Sequence, residues 1–295
     1  MKIVHSLWTK PFKKALHEKQ PNYGGWPSKS FLYMSWALSC LQFRKFYDNV
    51  ELVTDAAGYE LLIEKLKLPY TNVQVVLDAI NHYPEKLWAA GKLYAYQLQD
   101  TPFVHADGDV FIWEKFTPTL ENSSLLAQHF DATNGHYKHS LEEAEKFGFH
   151  IPEVIQEYVK DDSNFSGHSA GIIGGSDLEF FQKFCHASFK VMDENIDKYH
   201  VDFKATSYAL LYEQFLFSAL ARQDQKQVTC LIDDNLLSEL HINISDFNNK
   251  YRERFKYAHM AGFQKKRPQY GYELRNQLQV DYPEHLELIQ RIIHD

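Results

Sequence analysis

The sequence predicts an α/β fold with a central, mostly parallel sheet flanked by helices. Short apolar runs bounded by Gly, Pro and Asp alternate with longer stretches whose apolar residues recur at helical spacing, the pattern of βαβ units. Hydrophobic residues make up 44% of the 295 positions, enough apolar surface for a continuous core. No internal repeat, low-complexity tract or linker interrupts the pattern. A single domain over 1–295 is therefore expected, with a helical C-terminal extension from about 268.

Lys2 to Trp8 reads as a buried first strand, which Thr9-Lys10-Pro11 breaks into a loop continuing through Gly24-Gly25-Trp26-Pro27. Ser28 then caps a helix to about Tyr47 on which Phe31, Met34, Leu38, Leu41 and Phe43 fall near helical spacing, and Val50 to Thr54 follows as a strand. Gly58 to Leu66 reads as a helix, Val73 to Leu77 as a strand, and Pro84 to Gln99 as a helix ending before Asp100-Thr101-Pro102. Phe103 to Ala106 is a short apolar strand that runs into Asp107-Gly108-Asp109, and Val110 to Trp113 resumes as strand. In such sheets ligands gather beyond the carboxyl ends of strands, where this acidic turn lies.

The second half is less regular. A polar, His-rich stretch spans Asn122 to His139, and two helical segments follow between Ser140 and Lys160. Ser169 to Gly175 reads as a strand ending in glycines. Ser176 and Glu179 form a capping-box pattern ahead of Leu178, Phe181, Phe184 and Cys185, which predicts a helix start. A helix from Thr206 to about Arg222, a strand from Val228 to Ile232, and a strand from Phe255 to Ala258 come next. The tail from Pro268 to Asp295 reads as helical with a break near Pro283.

Charge and composition exclude some partners. A formal net charge of -8 repels nucleic acid and anionic surfaces, so any polyanion must bind locally. No apolar run is long enough to span a bilayer, which leaves peripheral membrane association as the remaining membrane contact. Met1-Lys2-Ile3-Val4 reaches polar residues by Thr9 and Lys10, too soon for a signal-peptide core. Three widely spaced cysteines, Cys40, Cys185 and Cys230, make neither a disulfide framework nor a structural zinc site, so a cytoplasmic protein is expected.

Asp107-Gly108-Asp109 is the most informative segment. Alternate carboxylates on a tight turn can approach one hard cation, and the glycine between them leaves room for a ligand. The plainer alternative is a turn that joins two strands. Farther on, His259, Gly262 and Lys265 have the spacing His-x-x-Gly-x-x-Lys. An imidazole nitrogen suits manganese better than magnesium, a glycine lets backbone N–H groups approach phosphate oxygens, and a lysine offers them a point charge. Alone, His259 reads equally as a structural histidine, and Lys265-Lys266-Arg267 as a solvated run. Asp55, ending the second strand, suits a ribose or base contact or a helix N-cap. Lys92 would reach a ligand or face solvent. His105 points away from Ala106 by strand alternation and is not counted as a metal ligand.

These residues resemble a known family. Phe103-Val104-His105-Ala106-Asp107-Gly108-Asp109-Val110 looks like the strand-DxD-strand element of GT-A fold glycosyltransferases, a nucleotide-diphospho-sugar transferase fold. His259 to Lys265 is similar to the HxxGxxK signature of the glycogenin and lipopolysaccharide galactosyltransferase family. The opening Val4-His5-Ser6-Leu7-Trp8-Thr9-Lys10-Pro11 resembles uncharacterised bacterial glycosyltransferase-like proteins. The resemblance implies that Asp107, Asp109 and His259 bind Mn2+ (or Mg2+), while Gly262 and Lys265 contact the donor's diphosphate. Ser169-Ala170-Gly171 resembles the family's Asn-Ala-Gly element near the donor sugar, with serine for asparagine, and Glu213-Gln214 its Asp-Gln pair near the reacting carbon. The family's Pro-Trp after the lysine is replaced by Lys266-Arg267.

The expected activity is metal-dependent transfer of a sugar from a nucleotide-diphosphate donor to an acceptor such as a bacterial surface glycan, with retention. Two alternatives stand beside it. One is a metal-dependent nucleotidyltransferase or phosphate-ester enzyme using the same aspartates, although no P-loop is present. The other is a noncatalytic carbohydrate-binding protein on the same fold.

Overall fold

The computed structural model describes residues 1–13, 23–131, 135–160, 165–199, 204, 208–232, 253 and 255–294. The fold is α/β, with a seven-stranded, mostly parallel sheet flanked by helices. Two compact units compose it, the first from Met1–Asp78, Ala106–Phe116 and Glu239–Asp295, the second from Ala79–His105 and Thr117–Ser238. No helix among the described residues is long and apolar enough to cross a membrane. The three cysteines are free thiols.

In the first unit β1 (Lys2–Leu7) pairs in parallel with β2 (Val50–Thr54), which pairs in parallel with β3 (Asn72–Val75). All five residues of β2 are buried. Glu51 is tolerated there because Asn72 and Gln74 of β3 donate to its carboxylate at 2.7 and 3.0 Å. After the short α1 (Lys10–Lys13) comes α2 (Lys29–Phe46), whose N-cap is Ser28, accepting from the Phe31 N–H at 3.2 Å. The helical spacing suggests one apolar face, yet every residue from Leu32 to Phe43 is buried. Helices α10 (Pro268–Asp281) and α11 (Pro283–His294) supply part of that cover, burying Leu274, Leu278, Leu286 and Ile289 in the same core as Met34, Leu38 and Leu41. The two tail helices are thus built into this core, and the break at Pro283 is where expected.

Beyond β2, α3 (Ala56–Tyr59) passes into a π-helical stretch over Glu60–Lys65, so the helix expected from Gly58 begins two residues earlier. Strand β3 stops at Val75, because Leu77–Ile80 folds into a 3-10 turn.

The second unit holds α4 (Ala90–Gln97) and all but the last residue of β4 (Phe103–Ala106). The helix expected from Pro84 forms only from Ala90. The residues before it close successive three-residue turns, with Leu87 N–H donating to Pro84 O at 3.0 Å and Ala90 N–H to Leu87 O at 2.9 Å. After β5 (Val110–Ile112) of the first unit and α5 (Pro118–Glu121), the His-rich stretch contains β6 (Leu125–Ala127) and β7 (Phe130–Asp131). Then α6 (Gly135–Lys146) starts before Ser140, and α7 (Glu153–Tyr158) follows.

The strand expected from Ser169 forms only over β9 (Ile172–Gly175), paired antiparallel with β6, while β8 (Gly167–His168), paired with β7, precedes it. Gly174 lies within β9 because a Cβ there would stand 2.1 Å from Phe103 O. Helix α8 (Leu178–Glu194) starts where the capping pattern indicates, but its cap is Asp177, accepting from Phe180 N–H at 3.1 Å. Ser176 instead donates to Ser123 O at 3.3 Å. The helix expected from Thr206 opens outside the described residues. It continues as a π-helical segment over Leu210–Phe215 and α9 (Leu216–Gln223), and β10 (Val228–Cys230) pairs in parallel with β6. Strand β11 (Tyr257–His259) lies two residues later than expected, after Lys256 takes a left-handed φ of 49°.

Candidate functional site

The acidic turn is closed by Val110 N–H donating to Asp107 O at 3.0 Å. Helix α2 holds its backbone from beneath. Ser35 Oγ donates to Gly108 O at 2.8 Å, and Ser39 Oγ to Val110 O at 2.7 Å. Carbonyls of a buried turn must find donors, and two serines one helical turn apart provide them. The space beside Gly108 belongs to the protein. A Cβ there would come within 2.5 Å of Trp36 Cε2, so the glycine admits an indole and is not kept open for a ligand.

His259 arrives by sheet pairing. Strand β11 runs antiparallel to β5 with His259 opposite Val110, and Met260 N–H donates to Asp109 O at 3.0 Å, extending the ladder to the turn. The imidazole Nε2 thereby stands 3.5 Å from Asp109 Oδ1 and 4.0 Å from Asp107 Oδ2. One ligand atom from each of Asp107, Asp109 and His259 lies within 4.8 Å of the others. Adjacent ligands of a small octahedral cation sit about 3 Å apart and opposite ones about 4 Å, so two carboxylate oxygens and one nitrogen at this spread fit a divalent ion.

Lys265 joins the group. The 3-10 turn Gly262–Lys266 carries it back so that Nζ forms an ion pair with Asp109 Oδ2 and donates to Gly24 O at 2.8 Å. The ammonium also lies 6.0 Å from the Trp26 ring centroid. Burial acts to raise the Asp109 carboxyl, but the charges of Lys265 and His259 outweigh it and hold that group well below the usual carboxylate range. With Oδ2 engaged by the lysine, Oδ1 is the oxygen turned to His259. Gly262 takes a φ of 56°, and a Cβ there would meet nothing within 4 Å, so its backbone is open to an approaching group.

The remaining candidates fall within the units as follows. Asp55, in the first unit, caps α3 by accepting from Gly58 N–H at 2.8 Å, and its other oxygen takes the Thr9 N–H at 2.8 Å and hydroxyl at 2.6 Å. In the second unit Lys92 is buried, which overturns its solvent-facing alternative. Its ammonium pairs with Glu213 Oε1 at 2.8 Å and donates to Ala170 O at 3.0 Å. Tyr96 donates to the same Glu213 oxygen at 3.2 Å, and Tyr137 to Gln214 Oε1 at 2.8 Å. Ser169 is tied by backbone bonds to Gln128 and His129, while Gly171 is buried in the turn ahead of β9. His105 packs edge-on against Tyr96, with ring centroids 5.0 Å apart.

Ser35, Ser39, Trp36, Tyr96 and Tyr137 support these groups and escape a reading based on motifs. The serine pair was the detectable signal, being two hydroxyls at i, i+4 on an otherwise apolar helix.

A crystal structure of galactosyltransferase LgtC in complex with donor and acceptor sugar analogues is similar to this chain at 13% identity, covering 93% of this chain and 95% of that one with a TM-score of 0.45. A structure of an active-site mutant of LgtC is similar at 11% identity, covering 89% and 88%, with a TM-score of 0.43. No curated protein matches the chain. Over residues 1–292 the sequence matches the family described as "Family of unknown function (DUF6734)", and the chain belongs to that family.

Proposed function

We propose that this chain is a divalent-metal-dependent glycosyltransferase, a single GT-A-like domain over 1–295. It takes a nucleotide-diphosphate sugar and transfers the sugar, with retention, to an acceptor such as a bacterial surface glycan in the cytoplasm. One observation carries the reading: Asp109 and His259, about 150 positions apart, meet Asp107 within 4.8 Å with Lys265 on the same carboxylate. A strand-joining turn needs none of this convergence.

Asp107, Asp109 and His259 hold the ion and fix where the diphosphate lies. The mixed oxygen and nitrogen set favours Mn2+ over Mg2+. When bound, the ion supplies a Lewis acid for the oxygens on which negative charge grows as the anomeric bond breaks. Lys265, which pairs with Asp109, would turn its ammonium to the leaving diphosphate once that carboxylate is given to the ion, and the open backbone at Gly262 lets N–H groups approach it. Glu213, Gln214, Lys92 and the Ser169-Ala170-Gly171 turn are assigned to the donor sugar by the sequence resemblance. Their own geometry adds that Glu213 is a fully buried carboxylate held by Lys92 and Tyr96. Asp55 keeps its helix-capping role instead of a donor contact, since it is buried and its two carboxylate oxygens serve Gly58 and Thr9.

The test is a panel of nucleotide sugars with Mn2+, followed by thermal shift and by release of nucleoside diphosphate. At least one donor should stabilise the protein and be turned over slowly, and Asp109→Asn and His259→Ala should remove the Mn2+-dependent part, with Asp109→Asn also lowering the metal-free unfolding midpoint because it takes away the ion-pair partner of Lys265. Undiminished Mn2+-dependent turnover in both variants would sink the site. Hydrolysis of nucleoside triphosphates with indifference to nucleotide sugars would move the protein to another enzyme class.

A further inference from the structure

Lys265 ties together three segments of the first unit. Its ammonium pairs with Asp109 Oδ2, donates to Gly24 O at 2.8 Å and lies 6.0 Å from the Trp26 ring centroid. Its stem runs over Gly25, where a Cβ would come within 3.0 Å of Lys265 Cδ. Gly24 and Gly25 take left-handed φ values of 62° and 90°, so the turn that seats the lysine needs glycine. Only 16% of the lysine side chain remains exposed, which makes this a built seat for a positive charge and not a solvated surface contact.

The carboxylate it holds is the one the other candidate ligands surround. Asp109 Oδ1 is 3.5 Å from His259 Nε2, and a ligand atom of Asp107 lies within 4.8 Å of a ligand atom on each of them. A buried carboxylate without a counter-charge is costly, and a second carboxylate close by adds to the cost. Lys265 relieves it while no ion is bound. The same contact opposes an incoming divalent ion, which has to take Asp109 from a cation already seated there, at a range where like charges in a buried site repel strongly. A diphosphate reverses the sign, because its oxygens offer the ammonium an anionic partner in place of the carboxylate. Lys265 sits on the same 3-10 turn as the open backbone of Gly262, so that partner approaches the segment which carries the ammonium.

We propose that Lys265 is a resident counter-ion of the metal site, a latch that weakens the binding of a divalent ion on its own and couples it to the diphosphate. Without ligands its ammonium closes on Asp109. When that carboxylate turns to the ion, the ammonium leaves it for the diphosphate, and each ligand then tightens the other by the same factor. The lysine keeps its protons throughout, and no covalent bond changes. This role rests on the metal-dependent reading above and adds a sign to it: removing a positive charge that serves the diphosphate improves the binding of the bare ion. A site latched in this way fills with ion and donor together and loosens its ion as the diphosphate departs.

The experiment measures Mn2+ binding, by calorimetry and without nucleotide, to the full chain and to its Lys265→Met and Lys265→Arg variants. Methionine keeps an apolar stem over Gly25 and Trp26 and removes the charge. Lys265→Met should bind Mn2+ alone about tenfold more tightly than the parent, and Lys265→Arg should stay near the parent. Uridine, guanosine, adenosine and cytidine diphosphates are then dialysed against parent and Lys265→Met, with and without Mn2+. In the parent at least one should be tightened by the ion, and in Lys265→Met that gain should shrink about tenfold. Because Lys265→Met leaves a buried carboxylate unpaired, the parent is also read directly. Its Lys265 ammonium signal in a 1H–15N spectrum, identified by its loss in Lys265→Arg, should shift as diamagnetic Mg2+ saturates the His259 ring signals. The latch is overturned, with the metal site left standing, if that ammonium stays unmoved at saturation or if Lys265→Met binds Mn2+ no more tightly than the parent. Absence of ion binding in both proteins, or binding indifferent to His259→Ala, would remove the metal site and the latch together.

Discussion

Gly108 shows how closely the acidic turn depends on one missing atom group. Its Cα faces the Trp36 indole at a separation that leaves no room for a methyl. Gly108→Ala should therefore displace either the indole or the turn, costing roughly 1–3 kcal/mol in urea denaturation and weakening Mn2+ binding by moving both carboxylates. His5 carries a prediction of another kind. Enclosed by Trp36, Phe43 and Tyr70, and bonded through Nδ1 to Tyr70 Oη at 2.9 Å, it is pushed by burial down to about 3. The unfolded chain takes up that proton near pH 6.5, so between the two values it binds one more proton than the folded chain. Stability present above pH 6.5 is accordingly lost as pH falls toward 3. His168, pushed down to about 4 by burial and then by the nearby His129, acts in the same direction over a shorter window. The unfolding midpoint should drop steadily below pH 6.5, and His5→Phe should flatten the slope by about one proton.

Elements explain why some boundaries were readable and others were not. Strands β2 and β4 announce themselves because both faces are buried and most of their residues are apolar, with Asp and Gly or Pro at their edges. Helix α2 could be placed from Ser28, but its burial on all sides could not, since it depends on tail helices more than 200 residues away. The helix before β4 was overextended because Pro84 to Ala89 has ordinary helical composition. Its tight turns are selected by the burial of Leu87 and Ala89, a tertiary effect. At α8 two candidate caps compete, and Asp177 prevails over Ser176, whose hydroxyl is drawn to Ser123 O. Asp177→Ala should cost about 1 kcal/mol of stability by calorimetry, and Ser176→Ala much less. Helix α2 acts on the turn through Ser39, so Ser39→Ala should cost a similar ~1 kcal/mol and strand the buried Val110 carbonyl.

For the whole molecule, the proposed ion is a ligand of the folded state only, and all its protein donors belong to the first unit. Mn2+ at a hundredfold its dissociation constant should stabilise that state by about 2.7 kcal/mol. Hydrogen exchange should show the added protection at the β5 and β11 amides and at Met260, whose N–H already bonds Asp109 O. Alternation of strands and helices, the tight acidic turn and the spacing from His259 to Lys265 were legible in the residues themselves, because backbone periodicity and ligand chemistry are local properties. Three-dimensional packing alone decided that His259 pairs opposite Val110, that Lys265 spends its charge on Asp109, and that Lys92 is buried against Glu213. Each of those contacts joins distant segments through sheet register or the demands of a buried charge, and neither is encoded in any short stretch of sequence.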